Sequence, residues 1–107
     1  MPPQTIDVQK IAEGDFPNNP PNNPPNNPMT YLVTVREGNS ATQHRVTMTQ
    51  ETYQTLTGGT VTAARCVEAA FQFLLDREPK ESILSRFDVT VISHYFPSFD
   101  RELGGYL

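Results

Sequence analysis

Residues 31–48, YLVTVREGNSATQHRVTM, decide the fold class. Tyr31, Val33 and Val35 alternate with Leu32, Thr34 and Arg36, the period-two pattern of a strand with one face toward a core. Glu37-Gly38-Asn39-Ser40 supplies turn chemistry. The alternation then resumes from Thr42 to Met48, with His44, Val46 and Met48 against Gln43, Arg45 and Thr47. The stretch predicts an antiparallel hairpin, wetter on one face than on the other.

Toward the C-terminus the period changes to that of helices. Thr49 is placed to cap a short helix, Gln50 to Leu56, which stops at Gly58-Gly59. Thr60 or Thr62 opens the longest helical pattern, running to Arg77. Its apolar stripe is Val67, Ala70, Phe71, Leu74 and Leu75, thickened by Cys66, Ala69 and Phe73. Pro79 suits the first turn of a further short helix through Leu84. Asp88 reads as the N-cap of a helix over Val89 to Tyr95, ended by Pro97. Ser98 to Glu102 add one turn, and Gly104-Gly105 read as fraying. The expected class is α+β, a β-hairpin of two antiparallel strands followed by three to four α-helices, in one domain over residues 29–103 with a frayed tail at 104–107.

Toward the N-terminus lies PNNPPNNPPNNP, residues 17–28. Proline removes backbone donors and holds the preceding residue extended, so this tract reads as a polyproline II-like spacer. Each unit also has P-x-x-P spacing, without the flanking basic residue such ligands carry. Upstream, Ile6 and Val8 alternate as in a strand added to a sheet edge. The stretch is nevertheless read with the tract as one disordered Pro/Asn-rich extension over residues 1–28.

The chain of 107 residues carries a formal charge of −4 and one cysteine. Lys80 is the only lysine beyond residue 10. This argues against a general nucleic-acid binder, which neutralises several phosphates with clustered cations. A local basic face remains open, since Arg36, Arg45, Arg65, Arg77 and Arg86 can converge on folding. One cysteine permits neither an internal disulfide nor a cysteine metal cluster. With no leader pattern and no long apolar run, a cytoplasmic protein without a membrane partner is expected.

Candidate chemistry is sparse. His44 lies on the apolar strand face and reads as a structural histidine. His94 stands in Ser93-His94-Tyr95, where Asp88, Asp100 or Ser98 can approach it. Cys66 sits mid-helix among small and apolar residues and reads as buried. Gly58-Gly59-Thr60 lacks the lysine of a phosphate loop. No catalytic residue, cofactor or metal is therefore assigned. Phe87, Tyr95, Phe96, Phe99 and Tyr106 are half of a set of six phenylalanines and four tyrosines. A surplus left exposed by that set forms a contact patch. Phe87, Tyr95, Phe96 and Phe99, with Arg77 and Lys80 from the charged run 77–81, are the candidate partner contacts.

The pattern Phe73-Leu74-Leu75-x-Arg77-Glu78-Pro79-x-x-Ser82-Ile83-Leu84, followed by Phe87 and Tyr95-Phe96-Pro97, resembles a set of small bacterial proteins of no assigned function. The resemblance spans about Tyr31 to Glu102 and implies a hairpin followed by the same helical half, with no activity attached. The functions expected are, first, a noncatalytic protein-interaction or regulatory module with a protein partner or a second copy. The alternatives are a DNA-binding regulator or antitoxin-like dimer presenting Arg36 and Arg45, and a small enzyme using Cys66 or His94.

Overall fold

The computed structural model describes residues 4–11 and 29–107. The Pro/Asn tract lies outside the described residues. The hairpin is present as β2 (Met29–Glu37) and β3 (Ser40–Met48), antiparallel, with Tyr31 opposite Val46 and Val33 opposite His44. Gly38 takes φ 60° in the turn, a left-handed conformation that glycine adopts without steric cost.

The sheet is larger than a hairpin. Gln4–Ile11 forms β1, antiparallel to β2, with Ile6 opposite Val35 and Val8 opposite Val33. Arg86–Asp88 forms a short β4, parallel to β3. The order is β1-β2-β3-β4, a four-stranded mixed sheet. The expectation of disorder over residues 4–11 is thereby corrected. Ile6 and Val8 continue the apolar inner face of β2 and pack, partly buried, against the core. The helical segments between β3 and β4 supply the long crossover that a parallel pair requires.

α1 (Gln50–Thr57) begins where Thr49 Oγ1 accepts the Thr52 N–H at 3.1 Å, and ends at Gly58 with φ 63°. α2 (Ala63–Leu75) begins with Thr62 Oγ1 accepting the Arg65 N–H at 3.1 Å. It buries Cys66, Val67, Ala69, Ala70, Phe71, Phe73 and Leu74, so its stripe is the centre of the core. Full burial of each large side chain there is worth about 2 kcal/mol.

Two helical expectations change after Glu78. Lys80–Ser82 make only a 3-10 turn, and Ile83 is already extended. The chain must leave the helix side and enter the sheet as β4, where the Arg45 N–H donates to the Ser85 carbonyl at 2.8 Å. α3 (Thr90–Tyr95) follows, shorter than expected. Asp88 still does capping chemistry, its Oδ1 accepting the Thr90 N–H at 3.0 Å and the Thr90 hydroxyl at 2.8 Å. After α4 (Phe99–Glu102), residues Leu103–Tyr106 form a second 3-10 turn, in place of the frayed tail expected at 104–107. The Tyr106 hydroxyl donates to Asp76 at 2.5 Å, and Arg65 donates to the Tyr106 carbonyl at 2.7 Å.

All these helices contribute to one core, on the sheet face that carries Tyr31, Val33, Val35, Val46, Met48 and Phe87. No helix among the described residues is long and apolar enough to cross a membrane.

Candidate functional site

Three elements converge at one end of the core: the C-terminal turn of α2, the extended segment through Ile83 and Leu84, and β4 with α3. They enclose a groove of about 300 Å³. Leu74, Ile83, Phe87 and Ile92 form its buried wall, and Val91 and Phe96 are half-buried along it. Leu84 is 50% exposed and Tyr95 is 65% exposed at the rim. These two are large side chains that folding leaves in water. Glu78 and Ser82 are its polar members, and burial pushes the Glu78 carboxyl above its ordinary pKa.

The local reasons are visible in the chain. α2 ends at Leu75, Pro79 opens the 3-10 turn Lys80–Ser82, and Ile83 is extended, which leaves Leu84 exposed. Its carbonyl is held by the His44 Nδ1–H at 2.7 Å, which fixes the segment against β3. α3 is only Thr90–Tyr95, so its last residue, Tyr95, stands clear of the core that Ile92 enters.

The residues singled out from sequence divide into two groups. Phe87, Tyr95 and Phe96 come together at the groove. Phe99 is 1% exposed and packs edge-on against Phe73 at 5.0 Å. Arg77 places its guanidinium 3.6 Å from the centre of the Phe73 ring and pairs with Glu102 at 3.0 Å. It thereby fastens the C-terminal turn to α2. Lys80 is buried with its ammonium on Glu81, so it presents no charge to a partner. Leu84 and Ile83 carry the groove yet stood outside the candidate set, because a helix was expected from Pro79 through Leu84 where the chain is extended at Ile83.

The titratable candidates take structural places. His44 accepts the Thr42 hydroxyl on Nε2 at 2.8 Å, donates from Nδ1 to Leu84, and lies 5.3 Å from the Phe71 ring. Both ring nitrogens are thus occupied. Cys66 is fully buried beside Met48, and burial pushes its thiol up to about 11. It is a packed thiol with no base beside it. His94 is exposed, 5.6 Å from Tyr95, and makes no side-chain hydrogen bond among the described residues. No group of three or more His, Cys, Asp or Glu that could hold a metal ion occurs among the described residues.

A second depression, of about 390 Å³, lies between α1 and α3 and is rich in hydroxyls from Thr49, Thr52, Thr55, Thr90 and Ser93. No family model, curated protein or solved structure matches the chain.

Proposed function

We propose that the protein is a noncatalytic interaction module that takes an apolar side chain of a partner polypeptide into the groove between α2 and α3. The observation that carries this reading is the pair Leu84 and Tyr95, half or more exposed beside a preformed apolar wall. An exposed aromatic at the rim of an apolar pocket is the arrangement in which interface binding energy concentrates. Glu78 supplies a polar anchor at the groove, suited to a donor on the incoming segment. The titratable side chains of the core are, by contrast, engaged in packing and internal hydrogen bonds.

The test is site-specific photo-crosslinking in the producing cell, with a benzoyl-phenylalanine at position 95 and a control at position 68 on the exposed flank of α2. The expected result is a discrete adduct from position 95 alone, suppressed by Leu84→Asp. An adduct of twice the chain mass identifies the occupant as a second copy, with light scattering as its check. Equal labelling from both positions, or none from position 95, overturns the reading.

A further inference from the structure

The outer face of the sheet carries a charge arrangement that folding alone does not explain. Arg45 on β3 is the register partner of Arg86 on β4, so two guanidinium side chains leave the same face of adjacent strands. Like charges directly opposite destabilise a ladder. Arg36 on β2 shares that face, since its register partner Ala41 lies an even number of residues from Arg45. All three arginines are exposed. Among the described residues, none of them has a carboxylate within salt-bridge distance, whereas Arg65 pairs with Glu68 and Arg77 with Glu102.

The acids nearest in the ladder do not relieve the pair. Asp88 is two residues from Arg86 on the same face, but its Oδ2 accepts the Thr47 hydroxyl at 2.6 Å and its Oδ1 is taken by Thr90. Asp7 on β1 shares this face and lies diagonal to Arg36, whose register partner is Thr5, but among the described residues it makes no ion pair with it, and it is two strands away from Arg45. A local cationic patch therefore persists on a chain of net charge −4.

We infer that this outer face binds an acidic polypeptide segment, with Arg45 and Arg86 clamping one carboxylate group and Arg36 meeting a second. The two points lie about 13 Å apart along the strands, four residues of extended chain. Guanidinium forks match carboxylates bidentately, and a shared anion removes the repulsion between Arg45 and Arg86. The face favours a peptide over a nucleic acid. Among the described residues, its other side chains, such as Gln9, Gln43 and Leu32, offer hydrogen bonds and aliphatic contact but no aromatic ring on which a base stacks.

The experiment uses the full chain and fluorescence anisotropy with two probes, a labelled ten-residue oligoglutamate and a fifteen-nucleotide oligo-dT strand, at low and high salt. Oligoglutamate is expected to bind, and to weaken with salt. Arg45→Gln with Arg86→Gln should lower its affinity about tenfold and Arg36→Gln about threefold. Arg101→Gln, an exposed arginine on α4, should leave it unchanged. The single variant Arg86→Gln should also raise the melting temperature by a few degrees, because it removes the like-charge pair. That thermal readout is independent of binding and shows that the variants fold. No oligoglutamate binding, tighter binding of oligo-dT, or an equal loss in Arg101→Gln overturns the inference.

Discussion

On the inner face of β2 and β3, Tyr31, Val33, Val35, Val46 and Met48 are all at most 2% exposed, while Arg36, Gln43 and Arg45 alternate with them and stay in water. The two sets occupy the same backbone, residue by residue, so the ladder hydrogen bonds are common to both. What differs is the company each side chain keeps. The inner set meets the α2 stripe, where a misplaced methylene or charge has nowhere to go. The outer set of Arg36, Gln43 and Arg45 is exposed, so packing constrains its composition far less.

The comparison also has an exception. Thr30 and Thr34 are on the outer parity yet are 2% and 8% exposed, and among the described residues the Thr30 Oγ1 has no hydrogen-bond partner. Such a hydroxyl carries a desolvation cost of about 1–3 kcal/mol. The outer face is thus not uniformly wet.

The largest test of the contrast lies on β1. Val8→Asp places a carboxylate on the inner face and is expected to cost about 3 kcal/mol, whereas Gln9→Asp, one residue on and facing out, should cost less than about 0.5 kcal/mol. Urea denaturation of the two variants gives the difference directly. Equal effects would detach β1 from the sheet.

Next is a pH dependence that belongs to the inner face. Burial raises the Cys66 thiol from 9.0 to about 11, so the unfolded chain releases that proton first. Stability is therefore whole below pH 9 and falls as pH rises toward 11, by at most about 1.4 kcal/mol per pH unit. Burial also raises Tyr31, which adds slope in the same direction. Denaturation midpoints from pH 8 to 10.5 should decline, and Cys66→Ala should flatten the decline. An unchanged slope would break the assignment to this thiol.

The smallest effect is at the exception. Thr30→Val removes the unpaired hydroxyl at nearly constant shape and is expected to stabilise by about 1 kcal/mol, read as a shift in urea midpoint at constant slope. Destabilisation instead would mean that the hydroxyl is engaged.

Much of this architecture is legible in the chain before folding. The alternation at 31–48, the threonine caps at 49 and 62, and the α2 stripe each declare a local structure because their periodicity is local. β1 is harder to read. Its alternation is short, five of its eight residues are polar, and its partner lies beyond a proline-rich tract, so its pairing is recorded only in the register with β2. The groove is intermediate: Phe87, Tyr95 and Phe96 are conspicuous as aromatics, but whether each is core or rim depends on where the turn after Pro79 aims the chain. Phe99 is as aromatic as Tyr95 and is wholly inside.

By itself the sequence determined the elements whose signal sits within a few residues: a hairpin, two capped helices and a buried helical stripe. Periodicity and capping act through neighbours in the chain, and they need no knowledge of the rest. Only the tertiary structure decided that β1 and β4 complete the sheet, that Arg77 ties the C-terminal turn to α2 while Lys80 is buried on Glu81, and that Arg36, Arg45 and Arg86 share one face. Those outcomes depend on which segments meet across the core, and strand register and burial are properties of that meeting.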